Sequence, residues 1–355
     1  MKRKNNLLKI LSLTLVGALV LGAGCVPTRE SSSDSSSSTT DSSSDSSSGT
    51  TDSSSDSSSG TVEYTPHWND DGVLKILAIG NSFSEDAMEY FYQIAKAAGV
   101  EHIELGHLYI GGCSLQTHLE NISYDLPQYL YSTKKSDRAW NKTRSNKPST
   151  AFSDNDWDFI TLQQNSNNSG VADTYDDLNA LIDAIEPQCT NEHVTFAWHM
   201  TWAYQQDSDH KEFPTYNNDQ TTMYNAIISA VQEKIVPNDR IVKIIPSGTA
   251  IQNARTSYLG DNLTRDGYHL SDPQGRFIAG TSYLATLIEI DLDSVDLSSV
   301  CSDPSFVKVI KESVKNAIET PFSVTPSAIT EKEDGGENGT EENSSDNAEE
   351  NAETL

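Results

Sequence analysis

The sequence predicts an α/β fold, a three-layer α/β/α sandwich around a mainly parallel sheet. Three observations lead there. Apolar runs of strand length alternate with stretches of helical spacing through the middle of the chain, the pattern of strands joined by crossover helices. Glycine-rich or amide- and hydroxyl-rich clusters stand directly after several of those runs, where open α/β sheets collect their functional groups. Low-complexity ends leave about 270 residues between them, enough for one large core.

The first strand is Val73 to Ile79, followed by Gly80-Asn-Ser-Phe-Ser84. Met88, Phe91, Tyr92, Ala95 and Ala98 share one side of a helix running from Glu85 to Ala98, with Ser84 and Asp86 suited to its start. A second strand spans Ile103 to Ile110 and ends at Gly111-Gly112. The stretch from about Tyr131 to Asp154 reads as irregular and polar. Trp157 to Leu162 is a third strand, Tyr175 to Ile185 a helix, and Val194 to Trp198 a fourth strand. Thr222 to Ile235 is helical, Arg240 to Ile245 a fifth strand, and Arg276 to Ile288 a late helix.

The ends read differently. Lys2, Arg3 and Lys4 precede an apolar stretch from Ile10 to Ala23, shorter than the roughly 20 residues that span a bilayer. Gly22, Ala23 and Gly24 then lead to Cys25. Residues 1–25 form an export signal, and the Cys after small residues resembles a bacterial lipoprotein lipobox, with Gly22 where Leu is usual. That resemblance implies lipidation at Cys25, a mature chain outside the cytoplasm, and membrane contact through the lipid alone. Residues 26–61 are mostly Ser, Asp, Thr and Gly and cannot build a core, so they read as a disordered tether. It would span roughly 30 Å. Residues 62–325 are then the folded domain and 326–355 a disordered acidic tail.

Charge excludes one class of partner. The chain carries 52 acidic and 24 basic residues, and residues 61–330 alone have a net charge of −18. Nucleic-acid binding needs the opposite balance. With Cys25 set aside, Cys113, Cys189 and Cys301 remain. An odd, widely spaced set is neither a disulfide framework nor a metal motif, and no pairing among them is assigned. No His-Glu-x-x-His and no Gly-x-Gly-x-x-Gly is present, so neither a metal nor a dinucleotide cofactor is expected.

The residues after the strands carry the chemistry. Ser82 follows the first strand and Ser114 the second, Gln163, Gln164, Asn165 and Ser166 the third, and His199 to Trp202 the fourth; Asp266 and His269 come near the end. A hydroxyl, amide donors, an imidazole and a carboxylate on one rim are the parts of a serine hydrolase. Ser82 is inert until a base takes its proton, and its alternative role is to cap the helix. His269 suits the base and Asp266 its orienting partner. Gly267 permits the sharp turn that lets them meet. His199 can contact substrate, act as a rival base, or sit at the core edge bonded to backbone. Trp202 and Tyr204, with Trp140 or Trp157, can stack on a sugar or fill the core. Asn253, Arg255 and Asp261 form a polar loop with no assigned role.

Gly80-Asn-Ser-Phe-Ser84 resembles the first block of the SGNH/GDSL hydrolase superfamily, and Asp266-Gly-Tyr-His269 resembles its last, the Asp-x-x-His pair. The order along the chain agrees. The likeness runs from about Leu74 to Ile288, and the whole resembles an uncharacterised branch of that superfamily, a domain of unknown function. It implies a flavodoxin-like sandwich with Ser82, Asp266 and His269 as catalytic residues. It also implies an oxyanion hole from the Ser82 N–H, the Gly112 N–H (in preference to Gly111) and an Asn after the third strand. Here that strand ends in Leu162-Gln-Gln-Asn-Ser166 with no Gly, so either Asn165 or Gln164 fills the place. The expected activity is a serine esterase acting on acetyl or short acyl esters, small or on extracellular polysaccharide, with His199 and Trp202 at the substrate. A lipase-type hydrolase acting on membrane lipid is a further possibility. The alternative from another class is a glycan-binding lipoprotein on the same fold without turnover.

Overall fold

A computed structural model describes residues 71–332. The expected signal segment, Cys25, the expected 26–61 tether and most of the expected 326–355 tail lie outside these residues. The first strand, β1 (Val73–Gly80), is buried without interruption from Ile76 onward, as a strand covered on both faces must be. It pairs in parallel with β2 (His102–Tyr109) on one side and with β5 (Phe159–Leu162) on the other, so that Ile76 faces both Leu105 and Phe159. Beyond β5 lie β6 (Thr195–His199) and β7 (Lys243–Ile245), also parallel. On the far side of β2, β3 (Tyr129–Lys134) and β4 (Asn141–Asn146) add antiparallel edges, giving the order β4-β3-β2-β1-β5-β6-β7. The five parallel strands, taken in chain order, stand 2-1-3-4-5, which is the flavodoxin-like order. Connections from β1 and β5 therefore diverge to opposite edges, opening a crevice beyond the C-terminal end of β1.

Helices cover both faces, and the α/β class agrees with the sequence reading. On one face α1 (Ser82–Met88), α2 (Phe91–Ala97), α7 (Ser247–Ala254) and α9 (Pro304–Glu319) gather around α8 (Gln274–Ile288). On the other, α3 (Leu115–Ser123) packs against α4 (Pro148–Ser153) and α5 (Leu178–Ile185). The longer α6 (Gln220–Lys234) lies against the turns at Ala172–Tyr175 and Phe213–Tyr216.

Four local readings change. The stretch from Tyr131 to Asp154 is not irregular: it holds most of β3, all of β4, and α4. β4 is polar and exposed along nearly its whole length, so it shows no apolar alternation; pairing with β3 alone makes it a strand, and its charges suit a sheet edge. The single helix expected from Glu85 to Ala98 is two, α1 and α2, and it starts at Ser82 with Asn81 as its cap. Ser84 turns inward instead, bonding Asn81 O and His107. The folded chain also passes 325. Ser327 and Ala328 donate to the Glu312 carboxylate, Ile329 O accepts from Tyr258 N, and Lys332 pairs with Asp303 at 2.8 Å.

Three imidazoles lie inside this core. Burial pushes His107 down to about 4, and His118 and His199 to about 3. In the unfolded chain each returns to about 6.5. Between these values the unfolded state binds more protons, so this stability is present above about pH 6.5 and is lost as pH falls, down to about 4 for His107 and about 3 for the other two. Three such groups should lower the unfolding free energy by roughly 5 kcal/mol between pH 7 and pH 5. Denaturant midpoints at the two pH values measure it, and an unchanged midpoint would contradict it.

Candidate active site

Gly80 closes β1 with no room for a side chain: a Cβ there would come within 2.5 Å of Ser84 Oγ. Asn81 Oδ1 then accepts from Phe83 N at 3.0 Å, the usual service of an Asn cap. Ser82 is therefore the first residue of α1, at the C-terminal rim of the sheet. Its N–H belongs to the first turn of α1, where backbone donors have no intrahelical partner.

Across the crevice the chain turns back on itself between Leu263 and Ser271. Arg265 N donates to His269 O at 2.9 Å and Ser271 N to Leu263 O at 2.8 Å. Gly267 has φ +86°, and a Cβ on it would lie 2.9 Å from Ser208 Oγ, so glycine is required twice over. Inside this turn Asp266 Oδ1 accepts from Tyr268 N (3.3 Å) and His269 N (2.8 Å). Its Oδ2 meets His269 Nδ1 at 2.7 Å, and His269 Nε2 meets Ser82 Oγ at 2.8 Å. The three residues that the sequence pairs across more than 180 positions form one hydrogen-bonded line. Burial works against the Asp266 charge, but the bonds from the His269 ring and backbone outweigh it and hold the carboxyl below its usual range.

The other predicted residues divide. Gly112 has φ +64° and lines the crevice beside Ser82. Asn165 is buried, and its Nδ2 donates one N–H to Gly112 O at 3.0 Å; an amide has a second. Gln164 has none to spare. Its Nε2 donates to Thr174 O (2.8 Å) and Thr174 Oγ1 (3.0 Å), while its Oε1 accepts from Leu115 N and Asn165 N. It braces the loop and offers no donor.

The expectation that His199 and Trp202 touch substrate does not hold geometrically. Both are buried, at 1% and 0% exposure, and neither lines the crevice. His199 Nδ1 bonds Gln163 Oε1. Trp202 stacks on Phe83 at 4.4 Å and donates from Nε1 to Tyr268 O at 2.8 Å, which ties the Ser82 helix to the His269 turn. Trp157 and Tyr204 are likewise core, and the Trp140 ring carries Lys134 Nζ over its face at 5.9 Å. Arg255 and Asp261 pair at 2.8 Å, and Asn253 holds Ser313 O and Thr325 N.

Sequence reading missed the clamp between the two catalytic-looking segments. Asp86, on α1 and 1% exposed, receives Arg265 Nη1, Arg276 Nε and Leu270 N. One buried carboxylate with three donors fixes the His269 turn against the Ser82 helix. The available signal was a charged residue on a helix face that otherwise buries Phe83, Ser84, Ala87 and Met88. His210, Lys211, Arg265 and Tyr268 were also missed; with Tyr109, Glu85 and Asn167 they wall a crevice of about 580 Å³. These come from loops whose approach to Ser82 has no sequence signature.

Among the described residues no group of His, Cys, Asp and Glu could hold a metal ion, and no helix is long and apolar enough to cross a membrane. Cys113, Cys189 and Cys301 are free thiols.

Residues 75–311 match a family described as a domain of unknown function, DUF4886. A DUF4886 family protein from Bacteroides uniformis ATCC 8492, known from a 1.50 Å crystal structure, shares 39% identity with a TM-score of 0.67 over 71% of this chain and 97% of its own. A protein from Slackia heliotrinireducens, proposed to be an SGNH hydrolase, aligns at 17% identity and a TM-score of 0.38 over 61% of this chain and 99% of its own. No curated protein matches. By both the matched span and the 39% relative, this chain belongs to the DUF4886 family.

Proposed function

We propose that this protein is a serine hydrolase of the SGNH type that cleaves acetyl or short acyl esters. The observation that carries the proposal is the line Ser82–His269–Asp266, with contacts of 2.8 and 2.7 Å, opening into a crevice beside Gly112. In this reading His269 Nε2 takes the Ser82 proton as Oγ attacks the ester carbonyl. Asp266 keeps the other ring proton on Nδ1, so that Nε2 presents a lone pair, and it stabilises the imidazolium that forms. The Ser82 and Gly112 N–H groups and the second Asn165 amide N–H receive the oxyanion. The same imidazolium protonates the departing alcohol, and water then releases the acyl group by the reverse sequence.

The crevice supports a small acyl group and a polar alcohol. Its walls carry Glu85, Asn167, His210, Lys211 and Arg265, a lining that suits hydroxyl-rich partners better than a long hydrocarbon chain. Together with the export-type N-terminus, this favours esters on extracellular carbohydrate, reached by a lipid-anchored enzyme. Incubation with a fluorophosphonate probe tests the reading. Labelling is expected on the wild-type protein and absent from Ser82→Ala. A wild-type protein that takes no label and hydrolyses no aryl acetate, yet binds acetylated glycan, would support the binding-lipoprotein alternative instead.

A further inference from the structure

A buried chain of side chains leads to Asn81, the residue before Ser82: Gln163, just past β5, bonds it, and His199 at the end of β6 bonds Gln163. Their hydrogen-bond directions can be worked out from one fixed donor. The Phe83 N–H reaches the Asn81 amide at 3.0 Å, so the atom facing it is Oδ1. The same Oδ1 receives Gln163 Nε2 at 3.0 Å, which turns Gln163 Oε1 toward His199. His199 Nδ1, 2.8 Å away, must then carry the proton. Its Nε2 is a bare, buried atom with no partner. The other end of the Asn81 amide is also committed, since Nδ2 donates to Cys113 O at 3.2 Å. The backbone oxygen of Asn81 accepts the single Ser84 hydroxyl proton at 2.8 Å, which forces His107 Nε2, at 2.8 Å from Ser84 Oγ, to be a donor.

We infer that Gln163 and His199 are positioning residues, acting through Asn81 to hold Ser82 and the Gly112 loop at a set separation. The Asn81 amide grips the start of α1 through Phe83 N and the loop after Gly112 through Cys113 O. It can do both only in one orientation, which Gln163 reinforces by donating to the same Oδ1, and the His199 Nδ1–H holds the other end of the Gln163 amide in the matching sense. Neither residue reaches the crevice, so neither would bind substrate. Loss of the relay would let the amide flip or tilt, moving nucleophile and oxyanion donor relative to each other. Misplacement by about 1 Å costs on the order of 10²-fold in turnover.

This inference rests on the esterase reading, and the test separates the two. Aryl acetate turnover is measured for the full-length protein and for His199→Leu, His199→Asn and Gln163→Met. Asn places an amide N–H near the position of the imidazole Nδ1–H; Leu fills similar space and donates nothing. Expected is a fall in kcat of about 10- to 100-fold for His199→Leu and Gln163→Met, with KM within about twofold, and recovery to within about threefold of wild type in His199→Asn. Equal losses in the Asn and Leu variants would overturn the inference, because space rather than hydrogen-bond direction would then matter. So would a change confined to KM, or wild-type kcat in Gln163→Met. If His199→Leu does not fold, Gln163→Met decides by the same kcat and KM comparison. A wild-type protein without turnover removes the esterase reading first, and this inference with it.

Discussion

Ser82→Ala is expected to lower kcat on an aryl acetate by about 10⁴- to 10⁶-fold, and the double variant with His269→Ala to lose little more. The reason lies in the shared proton. Ser82 Oγ and His269 Nε2 stand 2.8 Å apart, and attack by one is transfer to the other. Without the hydroxyl there is nothing for the base to activate; without the base the hydroxyl stays protonated. Residual turnover would come from the oxyanion donors and from binding alone.

Asp266→Asn should behave differently. Asp266 Oδ1 accepts two backbone N–H groups, so an Asn there keeps its oxygen on that side and turns its NH₂ toward His269 Nδ1. The imidazole must then carry its proton on Nε2, facing Ser82. A loss of about 10³- to 10⁴-fold follows from the wrong tautomer, with the fold intact. Steady-state kinetics on the three single variants and the double variant check all of this. Fully additive losses, or near-normal turnover in Ser82→Ala, would reject the assignment.

Asn165→Ala should cut kcat by about 10²–10³-fold with KM nearly unchanged. Its side chain spans from the loop after β5 to Gly112 O, so under the proposed mechanism removal would take away one oxyanion donor and loosen the loop that would carry another. Gln164→Ala should read out elsewhere. It would leave Leu115 N, Asn165 N and Thr174 O without partners, and each buried unpaired group costs about 1–3 kcal/mol. The expected signature is a lowered thermal midpoint, with turnover falling only as the protein unfolds. A selective kcat loss in a fully stable Gln164→Ala, with Asn165→Ala unaffected, would reverse the two roles.

How much of this was legible beforehand depended on distance along the chain. The place of Ser82 directly after the first strand needed only Gly80 and the apolar run before it. The Asp266–His269 turn needed only Gly267 and a spacing of three. Both are local, and local backbone chemistry is written in neighbouring residues. The start of α1 was misplaced at Ser84 because Ser, Asp and Asn all cap helices well. Only the depth of Ser84 against His107 shows which of them is free to do so.

By itself the sequence determined the alternation of strands and helices, and with it the parallel sheet and the rim on which Ser82, Gly112, Asn165 and His269 would stand. Apolar periodicity is a property of short windows, and that alternation follows from it. Tertiary structure alone decided which amide is spent and which is spare. Gln164 and Asn165 are adjacent and chemically alike, yet Thr174 takes both N–H groups of one while Gly112 takes a single N–H of the other. It also decided that His199 and Trp202 are buried supports, and that Asp86 is the point where the two halves of the site are fastened. Each of these is a contest for partners among groups far apart in sequence. The outcome is set by which donors and acceptors reach one another once the sheet has closed.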